Sequence, residues 1–262
     1  MVSCRLQGGL GNQMFQIAAA HALALRNNDT AVFNFNECYT PLQGHTANKY
    51  RDNIFSKINV VDSYQYTTYY KEPKFSYDEL PYADGILLEG FFQSEKYFLD
   101  FKEDILKLFV LSDDYKEIIR TLVPIFNDKN KPITSVNIRR GDYLKNPDFH
   151  IPCSLEYFKK AIETIGDSYF IFISDDLNWV IENFGENENY FYPKLKNEIL
   201  DLKMITMCDN NIISNGTFSW WGTYLNEHTN PIRIGPKKWF GPKGHQDTYD
   251  IIQKDWITID NN

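Results

Sequence analysis

Cysteine is scarce: four residues, at 4, 38, 153 and 208, too few and too far apart for a disulfide framework, with no pair at metal-site spacing. No run approaches the ~18 apolar residues of a membrane-spanning helix, and the first ten residues lack the charged and apolar regions of a secretory leader. Basic residues are in deficit, 27 Lys+Arg against 35 Asp+Glu for a net charge of −8. That balance argues against nucleic acid, whose binding needs a basic face to displace phosphate counterions. The histidines at 21, 45, 150, 228 and 245 are scattered, which does not suit a metal site, and no Asp-x-Asp is present to hold a divalent ion against a diphosphate. Gly-x-Ser-x-Gly and His-Glu-x-x-His are missing too. Gly9-x-Gly11 opens like a dinucleotide fingerprint, but its third glycine position is Met14 and no Gly-Lys-Ser/Thr follows, so an NAD or ATP enzyme is poorly supported. The expectation is a globular, cytoplasmic protein without a transmembrane segment.

What is present is ordinary except in one respect. Hydrophobic residues make up 43% and charged residues 24% of the 262, which rules out wholesale disorder and suits one large domain or two modest ones. Aromatic residues reach 16%, with 5 Trp, 17 Tyr and 19 Phe. Core packing accounts for most of them, although such rings also offer flat faces to sugars and bases. Residues 2–6 alternate like a strand and run into Gly8-Gly9-Leu10-Gly11; residues 12–26 carry a helical period, and 31–35 read as a second strand. Residues 36–85, polar and tyrosine-rich, read as functional loops. A strand at 86–92 and helices at 95–110 and 113–126 come next, up to the polar run 127–132 that closes on Pro132. Beyond it strands at 133–138, 169–174, 211–214 and 232–235 alternate with helices at 154–165, 179–184, 198–208 and 218–226. This is the pattern of a parallel sheet covered on both faces, with ligands bound beyond the carboxyl ends of its strands.

Three polar clusters fall at such ends: Arg139-Arg140-Gly141-Asp142-Tyr143, Ser174-Asp175-Asp176, and Asn215-Gly216-Thr217-Phe218-Ser219-Trp220-Trp221-Gly222. Paired guanidinium forks suit a diphosphate. A glycine lets backbone approach, and Thr217 and Ser219 at a helix start add donors. A carboxylate matches the adjacent N1–H and N2–H of guanine, which makes Asp175 or Asp176 a candidate base reader. Each cluster also has a plain reading: surface charge for the arginines, a helix cap for the Asp pair, core for Trp220 and Trp221.

Together with Gly8-Gly9-Leu10-Gly11-Asn12-Gln13-Met14-Phe15-Gln16 and Gly90-Phe91-Phe92-Gln93-Ser94, these motifs resemble, in order and over nearly the whole chain, the alpha-1,2-fucosyltransferases of glycosyltransferase family 11. The resemblance implies an α/β, GT-B-like fold of two Rossmann-like domains facing across a cleft. Residues 1–127 would form the acceptor-side domain and 128–262 the GDP-sugar-binding domain. It further implies GDP-fucose as donor, the 2-hydroxyl of a terminal galactose in a glycan as acceptor, and inversion without a metal or other cofactor. By resemblance Gly9, Gly11, Asn12, Gln13, Asn137, Arg139, Arg140, Asp175, Asp176, Thr217, Phe218 and Ser219 bind the donor; Phe92, Gln93, Asp148 and His150 are the acceptor-side candidates, with core packing the plain reading of Phe92. The family's arginine motif usually carries histidine where this chain has Asn137, which cannot hold a proton at neutral pH.

Fucosyl transfer passes through an oxocarbenium-like transition state while charge builds on the departing diphosphate, so Arg139 is expected to be catalytic. Asp142 is the nearest candidate base, with Asp148 and His150 in the same loop; it serves equally as a residue that orients the arginines. A fucosyltransferase of another linkage, a binding protein that has lost catalysis and a nucleotide-dependent dehydrogenase are the competing readings.

Overall fold

The computed structural model describes residues 1–40, 44–128 and 130–262. The chain forms two compact units: Met1–Leu111 with Asp247–Gln253, and Ser112–Gln246 with Lys254–Asn262. Among the described residues no helix is long and apolar enough to cross a membrane.

The first unit contains β1 (Val2–Cys4), α1 (Leu10–Arg26), β2 (Thr68–Lys71), β3 (Ile86–Glu89) and α2 (Lys102–Leu108). Its sheet is all parallel, in the order β1-β3-β2. Alanine and leucine give α1 high helix propensity, and four small or branched residues in a row, Ile17 to Ala20, are fully buried. Asn27 and Asn28, the latter at φ 52°, end the helix. The strand expected at 31–35 is reduced to isolated bridges, Val2 to Ala31 and Phe33 to Val60, because Asn34 accepts from Asn36 N–H and turns the chain into a 3-10 helix. The expected helix 95–110 is cut the same way. Ser94 caps a short 3-10 turn, Phe98 leaves helical angles, and only α2 is regular. The polar stretch 36–85 hides β2, an exposed strand at the sheet edge; residues 41–43 of that stretch lie outside the described residues.

The second unit runs α3 (Asp114–Leu122), β4 (Ile133–Ile138), α4 (Leu155–Ile165), β5 (Tyr169–Ser174), α5 (Leu177–Phe184), β6 (Tyr190–Phe191), α6 (Glu198–Met207), β7 (Asn210–Ile213), α7 (Thr217–Tyr224), β8 (Arg233–Pro236) and β9 (Ile257–Ile259). All six strands are parallel, in the order β6-β5-β4-β7-β8-β9. Every residue of β4 is buried, as a strand covered on both faces must be. One face carries Val136, Phe158, Phe172 and Val180; the other carries Ile119, Ile171, Leu200 and Met204. The plain reading of Trp220 and Trp221 holds: both are fully buried.

The unit boundary differs from the one expected after residue 127. α3 puts Ile119 and Val123 into the core with Ile133 and Met204, so it belongs with the second sheet, and the break falls at Leu111. Lys129 of the expected boundary run lies outside the described residues. Near the end the chain returns to the first unit, where Asp250 accepts from Tyr77 N–H and pairs with Lys96.

Close approach of α6 and α7 depends on Gly222, where a Cβ would lie 2.6 Å from Ile205 Cγ2. Gly222→Ala is expected to destabilise by about 1–3 kcal/mol through overpacking, against a gain of about 1 kcal/mol in helix propensity. Urea unfolding checks this; a net rise in stability would mean that the two helices have slack to part.

Candidate active site

In the second sheet β4 pairs with β5 so that Ile138 lies opposite Ser174, and with β7 so that Asn137 lies opposite Ile213. The three expected clusters therefore leave the sheet side by side. Arg139 N–H donates to Ser214 Oγ at 3.1 Å, tying the first turn to the third. The Arg139 guanidinium is held by two acids, Nη2 to Asp142 Oδ1 at 2.7 Å and Nη1 to Asp175 Oδ2 at 3.0 Å. Its side chain is still 38% exposed, so it is clamped but reachable. Arg140 is more enclosed: its Nε meets Asp176 Oδ2 at 3.3 Å, and its guanidinium carbon lies 3.7 Å from the centre of the Trp179 ring. Gly141 is required beside them, since a Cβ there would stand 2.8 Å from Asp175 Oδ2.

The third turn enters α7 through Gly216, which offers no side-chain cap. First-turn N–H groups of a helix have no intrahelical partner, and with the helix dipole they attract anions. Thr217 and Phe218 are partly exposed here; Ser219 is buried and donates its hydroxyl to Gly216 O. Buried polar bonds support the turns from below. Tyr143 OH donates to Asn215 O at 2.8 Å, and the Asn215 amide donates to Ile151 O and Trp239 O.

Several expected roles change. Asp175 and Asp176, expected to read guanine, are tied to the arginines: Asp175 accepts from Arg140 N–H and pairs with Arg139, while Asp176 caps α5 through Trp179 N–H and meets Arg140. All four carboxylate oxygens are engaged, and the helix-cap reading of Asp176 is the right one. Asn137 lies inside the sheet, only 4% exposed, donating to Ser135 Oγ and Ile212 O; its Oδ1 is buried with no protein partner. Asp148, expected at the acceptor, is an exposed partner of Lys243. His150 stacks on Tyr143, ring centres 4.5 Å apart, with Phe149 and Phe240 at its edges.

The first unit has an edge of its own. Gly8, at φ 78°, and Gly9 lead into α1 with no acidic residue in its first turn. Gln13, expected to bind donor, is fully buried and donates to Gly8 O and His45 O, holding the turn instead. Asn12 accepts from Gln93 Nε2 at 3.0 Å, and Gln93 Oε1 is buried without a protein partner. Phe92, expected on the acceptor, is fully buried against Tyr97 and has no surface to offer. Its backbone instead serves Glu72, a residue outside every motif of the sequence. Glu72 accepts from Phe91 N–H at 2.7 Å and Phe92 N–H at 3.1 Å. Burial, reinforced by Asp247, pushes its carboxyl up to about 7 against those bonds. Nothing in the spacing of residues 64–85 marks this side chain; only the pairing of β2 with β3 brings it to Phe91.

The architecture has known counterparts. The crystal structure of NodZ alpha-1,6-fucosyltransferase soaked with GDP-fucose matches 86% of this chain and 92% of its own, with TM-score 0.54 and 14% identity. That of POFUT1 in complex with GDP matches 89% and 97%, with TM-score 0.51 and 14% identity. These likenesses define the class of fold, the α/β, GT-B-like architecture expected from the motifs. The profile of Glycosyl transferase family 11 matches residues 1–260, and the chain belongs to that family. It is a glycosyltransferase. Relatives include the Escherichia coli O-antigen biosynthesis glycosyltransferase WbnK, 32% identical over 99% of this chain and 100% of that protein. The Escherichia coli alpha-1,2-colitosyltransferase is 27% identical over 99% of each, and the Caenorhabditis elegans galactoside 2-alpha-L-fucosyltransferase is 26% identical over 88% of this chain and 71% of its own.

His150 carries a pH prediction. Burial holds its imidazole below the usual value, with Asp142 opposing. A base depressed in the folded state is protonated more readily when unfolded, so its contribution to stability is present above the unfolded value of about 6.5 and is lost as pH falls through it. Urea unfolding between pH 8 and about 5 should show this loss as the difference between the parent and His150→Phe, which keeps the ring on Tyr143, because Glu72, raised by burial to about 7, gains stability over the same range. An unchanged slope in the variant would place the titration elsewhere.

Proposed function

We propose that the chain transfers fucose from GDP-fucose to the 2-hydroxyl of a terminal galactose in a glycan, with inversion and without a metal. The observation that carries this reading is Arg139, clamped by Asp142 and Asp175 next to the first turn of α7. A guanidinium held in place needs no reorganisation when charge develops on a leaving diphosphate, and a helix N-terminus adds N–H donors to the same anion. Arg140, stacked on Trp179, supplies a second cation. In this reading the diphosphate is neutralised by arginines and backbone amides.

The linkage is supported by two relatives whose names carry it, the alpha-1,2-colitosyltransferase and the galactoside 2-alpha-L-fucosyltransferase. The same pair makes colitose the second candidate for the transferred sugar. Asp142 acts here by holding Arg139 in aim.

The deciding assay is GDP release from GDP-fucose and from GDP-colitose, with and without lactose, in buffer containing EDTA. Release stimulated by lactose with GDP-fucose is the expected result. Preference for GDP-colitose would reassign the donor, dependence on an added divalent ion would reassign the chemistry, and tight GDP-fucose binding without turnover would favour a lapsed enzyme. Arg139→Lys is expected to cut turnover by ~10² or more while the fold is kept, the scale of losing one preorganised oxyanion donor. A loss under about tenfold in a well-folded variant would remove Arg139 from this role.

A further inference from the structure

We propose that Trp179 is a positioning residue of the donor site: its indole face holds the Arg140 guanidinium in one plane, so that the fork presents both terminal nitrogens to a nucleoside diphosphate. The assignment rests on the donor reading above, and every residue it uses lies in the second unit. Trp179 stands in the first turn of α5, and the guanidinium carbon of Arg140 lies 3.7 Å from the centre of its ring. That is van der Waals contact. At such a distance the guanidinium lies flat on the ring, because an edge-on approach would drive its nitrogens inside contact distance of the ring carbons.

The same helical turn holds the arginine at a second point. Asp176 Oδ1 accepts from Trp179 N–H at 3.3 Å, which fixes the carboxylate, and its Oδ2 meets Arg140 Nε at 3.3 Å. Arg140 N–H donates to Asp175 Oδ1 at 2.9 Å, and Asp176 N–H donates to Ser174 Oγ at 3.0 Å, so both backbones are tied as well. Trp179 has a firm seat of its own. It is half-buried and packs against the core that contains Phe172 and Val180.

A guanidinium donates only within its own plane. A ring on its face therefore orients it without consuming a donor, where another acid would take one or two. Asp176 occupies Nε alone, and among the described residues neither Nη of Arg140 has a partner. With the side chain only 16% exposed, these donors are aimed rather than left to sweep through solvent. Two parallel N–H groups in one plane match two oxygens of a phosphate. Arg139 differs, since both its terminal nitrogens are taken, by Asp142 and Asp175. It has to exchange a carboxylate for a phosphate oxygen, whereas Arg140 receives one with nothing to displace.

Apolar packing alone does not account for the pair. Leu177 and Phe184 cover the same core from the same helix. An arginine without a task lays its stem on such a surface and turns its head to water. Here the head itself is drawn onto the ring, with its donor edge left unclaimed.

A double-mutant cycle on GDP affinity tests this, measured by calorimetry on the full chain with the melting temperature alongside. Trp179→Leu keeps apolar cover and removes the ring face; it should weaken GDP binding by about 3- to 30-fold, the scale of a cation held on an aromatic ring. In an Arg140→Met background the same substitution should change the affinity by less than about twofold, because the group it positions is gone. Trp179→Phe, which restores a smaller face, should bring the affinity back to within about threefold of the parent. Equal losses with and without Arg140 would mark a residue that only packs the core and would overturn the assignment, as would parental affinity in Trp179→Leu. Should Arg140→Met bind too weakly to measure, the two single variants decide, and equal affinities for Trp179→Phe and Trp179→Leu would overturn it. Should Trp179→Leu fail to fold, Trp179→Met takes its place in both comparisons. A parent protein that does not bind GDP would overturn the donor reading itself, and this assignment with it.

Discussion

Hydrogen-bond register between three parallel strands is the constraint on which the second unit's site depends. β4 lies between β5 and β7, with Asn137 opposite Ile173 on one side and Ile213 on the other. Each chain therefore leaves the sheet at the same height, and Arg139, Asp175 and Ser214 emerge as neighbours although they are far apart in sequence. A shift of one residue in either pairing would turn every side chain of a strand to the opposite face and break the set. Burial of β4 on both sides enforces the register, because Val136 and Ile138 have no alternative apolar surroundings. Beneath the turns, Tyr143, Tyr157 and Asn215 direct their polar groups to backbone carbonyls, so the loops leave the sheet already fixed in direction.

Charge is handled in opposite ways by the two units. In the second, acids and arginines neutralise one another: Asp142, Asp175 and Asp176 face Arg139 and Arg140, and the arginines remain oriented because planar forks match carboxylates in few geometries. In the proposed reading such a group exchanges part of its partnership for a diphosphate. In the first unit Glu72 is held by amides and a phenol with no cation, and burial raises its affinity for a proton against those bonds. The same residue type thus meets two environments, set by its surroundings alone.

The regular alternation of the second half is legible because its strands are continuous apolar runs and its helices carry a 3.6-residue period. The limits expected for β4 and β5 are those of the structure. The strands that escape, β2, β6 and β9, are short or exposed members at or near sheet edges, where apolar patterning is weak because only part of the strand is buried. In the first half, helix 95–110 is overread since Tyr97 and Phe98 satisfy a helical period while Ser94 turns the chain locally. Aromatic residues mislead in the same way: Phe92 looks like an acceptor platform and is core.

The order of the motifs along the chain carries the family, and residue chemistry carries the cationic character of the Arg139 turn and the helix start at Thr217. These are local properties, set by side-chain type, charge and neighbours a few positions away. Which groups are free and which are occupied is set by tertiary structure alone. Asp176 is a cap, Gln13 a staple under a glycine turn, and Asp148 a surface partner of a lysine, while Glu72 sits on two amides brought to it by a neighbouring strand. Each of those facts depends on a partner distant in sequence or on how much water reaches the group. Neither is written in the local pattern, because desolvation and long-range contact arise only when the sheets have closed.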